Sequence, residues 1–482
     1  MTGRNGGART RALLAVGAGV LASLAFAGQS YAATPTTGSN CQVDGKIDGG
    51  GATFQTNVHV LVFEPAFQSD ICGPVAGGGP GPGAATEAGN KMVLYNYLAR
   101  SNRATPLTGS GSGINGAICR VEAFSGSDVP YTTAQLARMR GTSAPTDSEC
   151  TAFNGGFGGN TNPTFDPPFQ PTGAPYPDPA DAQNATIMSF PIAGGAVAMG
   201  VNLPATACGG TAPTAINLST ANASALWGGR ITQWNDPALV ADNASLANCA
   251  VAVTRVVRSD GSGTTTIFKN YLANADGATA QCDGRLFNNL RGQTGGATAW
   301  PNGGTCSPIN VASGNPAVVD GTAAVVGGLG YGDLSDWRTR QSQIVLANLR
   351  NSDNSAYVSP LAGTGSNCSF SGAALPTGGT AGAVGLGSTG WASDAVPSRA
   401  DVTYRGTGYP SCGFTWALVR TGLSTGSGGS VSRLNANQRR TLYSYMLFAL
   451  TPAAQSRLSS NYYAPIPSNF LSQIRTGFIN GF

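Results

Sequence analysis

Residues Arg258-Ser259-Asp260-Gly261-Ser262-Gly263-Thr264 stand between a strand-like run, Val251 to Val257, and a helix-like run, Thr265 to Ala273. Glycines at 261 and 263 let the backbone turn tightly and aim its N–H groups at one spot, while Ser262 and Thr264 add hydroxyl donors and Arg258 a fixed charge. Phe268, Tyr271 and Leu272 share one face of the following segment, so the turn opens an amphipathic helix. Unpaired N–H groups and the dipole at such an N-terminus favour a negative tetrahedral ligand. Ser, Gly and Thr before a helix are also ordinary cap and turn chemistry, and the motif alone leaves both readings open.

Elsewhere the composition excludes several classes. Arg4, Arg9 and Arg11 precede an apolar run from Ala12 to Gly28, with small residues at 30–33, the pattern of a signal peptide over residues 1–33. The expected product is exported, periplasmic or secreted. No later stretch is long and apolar enough to span a bilayer, and the first cysteine, Cys41, lies too far on for a lipid anchor at the cleavage site. The formal charge of +4, less the three leader arginines, is +1, so no nucleic-acid partner is implied. The ten cysteines are scattered without a C-x-x-C pair, which favours up to five disulfides of unassigned connectivity over a zinc site. His59 is the only histidine and reads as structural. With one histidine, Gly422-Leu423-Ser424-Thr425-Gly426 is a chance match to the G-x-S-x-G nucleophile pattern. No metal or cofactor is expected.

The length after the leader fits two or three domains of about 100–200 residues. Cys72 to Gly89 and Ser143 to Asn184 are rich in Gly and Pro without periodicity, and read as long surface excursions. Apolar runs such as Ile187 to Val201 alternate with helix-like ones such as Asn222 to Leu226.

Three further loops carry donors. Gly49-Gly50-Gly51-Ala52-Thr53-Phe54 allows a close backbone approach, Leu107 to Gly113 repeats Ser and Gly, and Phe124-Ser125-Gly126-Ser127-Asp128 places a carboxylate before Val129-Pro130. Each alone is also a plain turn or linker. Their order, followed by Trp227-Gly228-Gly229-Arg230-Ile231-Thr232-Gln233-Trp234, by Arg258 to Thr264, by Gly327 to Gly332 and by Tyr463-Ala464-Pro465-Ile466-Pro467, resembles the phosphate-binding proteins of phosphate ABC transporters. Lys46 to Thr53 and Tyr409 to Thr415 lean towards the DING subfamily.

That resemblance implies an α/β, two-lobed periplasmic-binding-protein fold of type II. Each lobe is a central sheet flanked by helices, with the ligand cleft between them. Lobe 1 is expected at 41–195 plus 410–482 and lobe 2 at 196–409, with crossovers at Ile192 to Leu203 and Tyr409 to Leu418. The implied ligand set is Thr53, Phe54, Ser110, Asp128, Arg258, Ser262, Gly263 and Thr264. Ser112 competes with Ser110 for the register of the second loop. Trp227 and Trp234 are expected to pack rather than to box a ligand.

A dry cleft of N–H and O–H donors can hold a dianion, because charge-assisted hydrogen bonds are worth roughly 1.5–3 kcal/mol each. Asp128 repels a dianion unless the ligand brings a proton to it. Phosphate near neutral pH carries that O–H and sulfate does not, which makes Asp128 the expected selectivity residue. Asp260 is expected to orient Arg258. The resulting expectation is a solute-binding protein for inorganic phosphate, serving scavenging or a transporter permease, rather than an enzyme. A secreted phosphatase or phosphodiesterase, and a surface interaction protein with a vestigial cleft, are the alternatives.

Overall fold

The computed structural model describes residues 41, 45, 47–72, 92–96, 109–119, 122–129, 131–140, 143, 149, 186–370, 404, 406–421 and 436–481. The expected signal peptide at 1–33, residues 422–426 and most of the two expected excursions lie outside these. Strands β1 (Ile47–Gly51), β2 (Val93–Tyr95) and β3 (Phe124–Ser127) run parallel, with β1 in the middle. Helix α1 (Thr53–Val58) leaves β1 and continues as wider turns to Cys72, and α2 (Ser110–Cys119) packs over the same sheet. The glycines of β1 make this packing possible. At Gly51, where φ is +128°, an added Cβ would lie 2.3 Å from the Gly126 carbonyl oxygen and 2.6 Å from the Gly113 Cα.

β4 (Thr186–Val201) is a sixteen-residue strand whose apolar and small residues are buried on both faces, as a central strand requires. A second parallel set follows: β5 (Thr254–Arg258), β6 (Ile309–Ala312) and β7 (Gly328–Asp333). The chain returns through β8 (Cys412–Thr421) and the short β9 (Tyr463–Ala464). The main order is β2-β1-β3-β8-β4-β7-β5-β6, with β9 against β4. β4 changes partner along its length: residues up to Ala196 pair with β8, and Val197 to Val201 pair with β7. One strand therefore belongs to both halves of a curled sheet, each half carrying its own helices.

In the second half, α3 (Thr220–Trp227), α4 (Gly263–Asp276), α5 (Asn315–Ala324) and the short α6 (Leu334–Trp337) flank the strands. The strand expected at 251–257 forms as Thr254–Arg258, and the helix expected from Thr265 starts at Gly263. The two shifts have separate causes: Ser262 caps α4 by accepting from the Thr265 N–H at 3.1 Å, and Arg258 extends the ladder against Ala312. Trp227 and Trp234 are fully buried, and the indole of Trp227 meets Phe268 and Tyr331 edge-on. Among the described cysteines, bridges join Cys41–Cys72, Cys208–Cys249, Cys282–Cys306 and Cys368–Cys412.

His59 sits in the first half's core, stacked on Tyr95 with ring centroids 4.3 Å apart. Gln55 Nε2 donates to the Trp416 carbonyl, so its Oε1 accepts from His59 Nε2 at 3.1 Å, and His59 Nδ1 then accepts from the Tyr445 hydroxyl at 2.6 Å. Both ring nitrogens are satisfied in the neutral form, and burial lowers the pKa to about 3. A depressed histidine contributes stability above its unfolded value near 6.5 that is lost as pH falls towards 3. We expect the drop in unfolding free energy between pH 7 and pH 4 to be smaller in His59→Gln than in the unmutated chain, by about 3 kcal/mol, read by urea unfolding at each pH. Equal drops would show that His59 does not carry this dependence.

Candidate functional site

The loops that follow β1, β3 and β5 meet where the two halves of the sheet face each other, at the C-terminal ends of parallel strands. Arg258, the last residue of β5, organises the meeting. Its side chain is fully buried. Nε donates to Asp260 Oδ1 at 2.7 Å and one terminal nitrogen donates to the other Asp260 oxygen, a two-point grip that fixes the guanidinium plane. The other terminal nitrogen donates to Asn315 Oδ1 at 2.6 Å and, across the divide, to Thr53 Oγ1 at 3.1 Å. Burial alone would raise the Asp260 pKa. Hydrogen bonds and charge from Arg258, with the Gly314 N–H at 3.0 Å, overcome it and lower the value.

Ser110 makes the second crossing. Its hydroxyl accepts from the Gly263 N–H at 3.1 Å and from the Asp128 N–H at 3.0 Å, and it donates to Asp128 Oδ2 at 3.1 Å. The backbones are close here: a Cβ at Gly263 would come within 2.4 Å of Asp128 Cβ and 2.5 Å of Ser110 Oγ. The Ser110 hydroxyl, and not that of the half-buried Ser112, reaches this point.

Asp128 is nearly buried and pairs with no cation among the described residues, so desolvation raises its pKa to about 6 against the lowering effect of hydrogen bonds from Thr415 and Ser110 and of the Arg258 charge. Thr415 sits at an irregularity of the sheet. Ile192 of β4, next to Pro191, is the extra residue, and the register shift falls between Thr415 and Trp416.

Of the eight sequence-predicted residues, Thr53 is joined to Arg258, and Ser110 to Asp128 and Gly263, by direct hydrogen bonds. Thr264 Oγ1 accepts from Asn315 Nδ2 at 3.3 Å, Ser262 is the cap of α4, and Phe54 is buried beneath, its ring edge-on to Tyr463. Sequence reasoning missed Asn315 and Thr415. Asn315 follows Gly314 and precedes Pro316, which reads as a helix start, and nothing local in Phe414-Thr415-Trp416 marks the hydroxyl as aimed at a distant carboxylate.

Residues 176–372 match the family model of a PBP superfamily domain. A phosphate-binding protein PstS of Xylella fastidiosa is 29% identical over 158 residues, 33% of this chain and 38% of that protein. The PstS of Haemophilus influenzae is 37% identical over 91 residues, 19% of this chain and 26% of its own length. The chain thus spans well under half the length of these curated relatives. Two solved structures share the fold across most of both chains. A DING protein gives a TM-score of 0.54 at 16% identity, covering 89% of this chain and 94% of its own. A periplasmic phosphate-binding protein, PfluDING, bound with phosphate, gives 0.51 at 16% identity, covering 89% and 93%.

Asp128 carries a stability cost. A carboxyl whose folded pKa is raised from 3.8 to about 6 contributes its full stability below about pH 3.8 and loses it as pH rises through 6. Asp128→Asn should therefore match the unmutated chain at pH 4 and exceed it at pH 8 by about 2–3 kcal/mol, measured by urea unfolding in phosphate-free buffer. A constant difference across that range would contradict the assignment.

Proposed function

We infer that this cleft captures inorganic phosphate, and that the chain is an exported solute-binding protein of two lobes that close on the ligand. The observation that carries the reading is the meeting, from four separate loops, of buried Thr53 with Arg258 and of buried Ser110 with Asp128 and the Gly263 N–H at the N-terminus of α4. Thr53, Phe54, Ser262, Gly263 and Thr264 stand at the starts of α1 and α4, where first-turn N–H groups have no partner within the helix. Asp260, Asn315 and Thr53 occupy four of the five guanidinium N–H groups of Arg258, which leaves one for a further acceptor. Asp128 supplies the single acceptor among these donors. A monohydrogen phosphate satisfies it with its own proton, and sulfate meets it with a lone pair.

The similarity of the matched segments to proteins named as phosphate-binding supports the ligand, and the fold shared with DING proteins supports the subfamily. Boundaries at 41–195 plus 410–482 and 196–409 suit the partner change of β4 at Ala196/Val197. Capture rather than turnover suits the hydroxyls: Ser262 is committed to its cap and Ser110 to Gly263 and Asp128, while His59 is committed to Tyr445 and Gln55. Delivery to a transporter permease is the role this reading gives the captured ion.

Calorimetry on phosphate-stripped protein tests the reading. Phosphate should bind and sulfate should bind at least tenfold more weakly, because an unpaired acceptor costs about 1–3 kcal/mol. Arg258→Ala should weaken phosphate by a hundredfold or more, whereas Asp128→Asn should narrow the gap between the two anions. No heat with phosphate in the unmutated chain would reject phosphate capture. Separately, release of a chromophore from a phosphate ester, lost in Arg258→Ala, would favour an enzyme.

A further inference from the structure

Helix α1 bears on the cleft from one half of the molecule and α6 faces it from the other, with two contacts between them that involve none of the eight ligand-set side chains. Asn57 lies one helical turn beyond Thr53, on the same face of α1. Its Nδ2 donates to Asp336 Oδ1 of α6 at 2.8 Å. Tyr463 of β9 is the second contact. Its hydroxyl lies 3.0 Å from the Phe54 carbonyl oxygen and closer still to an Asp333 carboxyl oxygen at the end of β7. A hydroxyl has one proton to give. Asp333 is fully buried, and desolvation, followed by the charge of Asp336, holds it well above the usual carboxylate range. The Tyr463 hydroxyl shares that proton between the Phe54 carbonyl and the Asp333 carboxyl, tying α1 to the end of β7.

The Asp336 carboxylate is costly to keep. Its second oxygen, Oδ2, is buried and accepts no hydrogen bond. Burial raises the group to about 7, with the Asn57 hydrogen bond, the Asn315 amide and the Arg258 charge acting the other way. A residue chosen for stability alone would not leave an oxygen in that position. Asn57, Tyr463, Asp333 and Asp336 are also absent from the ligand set that the sequence suggests.

We propose that Asn57–Asp336 and Tyr463–Asp333 are clasps across the cleft, which hold the Thr53–Phe54 turn against the second half and set how long the anion is retained. This rests on the reading that the cleft captures phosphate. The four side chains are positioning residues. They act after encounter, so their loss raises the release rate and leaves the association rate nearly unchanged.

Stopped-flow measurement of phosphate association and release tests this. Asn57→Ala and Asp336→Ala should each raise the release rate about tenfold, with association changed less than about twofold, and the double variant should be no faster than either single one. Asp336→Asn keeps an acceptor oxygen for Asn57 and should restore slow release, which a merely structural defect would not. Tyr463→Phe should also accelerate release. Unchanged release, additive effects in the double variant, or an Asn variant as fast as the Ala one would overturn the clasp. If the unmutated chain does not bind phosphate, the functional reading fails instead, and spin labels at the exposed Ala134 and Thr339 decide the clasp. A longer interlabel distance in Asp336→Ala than in the unmutated chain supports it, and identical distances reject it.

Discussion

A buried guanidinium has to be met by acceptors, and the need of Arg258 for them ties the site together. Desolvating a charge costs several kcal/mol unless it is paired and hydrogen-bonded. Asp260 answers with two oxygens from the same turn, Asn315 from the start of α5, and Thr53 from the other half of the sheet. Because these come from distant parts of the chain, satisfying one side chain positions three loops. Gly314 joins them through its N–H on Asp260, so the acid that steadies Arg258 is itself held by the loop before α5.

Asp128 is the counterweight. It lies among donors yet has no cation of its own, and the protein accepts the cost of burying it. On the reading of the cleft as a phosphate site, that cost is what separates two tetrahedral anions of similar size, which a purely donor-lined cleft would treat alike. Ser110 and Thr415 share the carboxylate between them and point it inward, one from α2 and the other from the irregular stretch of β8. The acid is thus strained electrostatically but not in its placement.

Much of this was legible in the residue order, for physical reasons. Glycine, serine and threonine runs after strand-like segments mark where backbone must come close or turn, and such turns are local. The cap at Ser262, the pairing of Asp260 with Arg258, and the structural role of His59 all follow from neighbours within a few residues or from simple scarcity. Asn315 and Thr415 were not legible. Each matters through a partner that lies 57 and 287 positions away, and no local pattern records such a contact. The start of α4 was misplaced by two residues because Gly263 is a poor helix former that tertiary contact with Ser110 nevertheless holds in the first turn.

The partner change within β4 has a thermodynamic consequence. Two bodies that share one long strand cannot wander independently, because most relative displacements would break ladder hydrogen bonds on one side or the other. Twist about the strand is the soft direction that remains. The approach of one half to the other then becomes a search along nearly one coordinate, and little orientational entropy is left to lose when a ligand fixes the two surfaces. A small ion, with few atoms to contribute binding energy, is the kind of ligand for which that saving counts most.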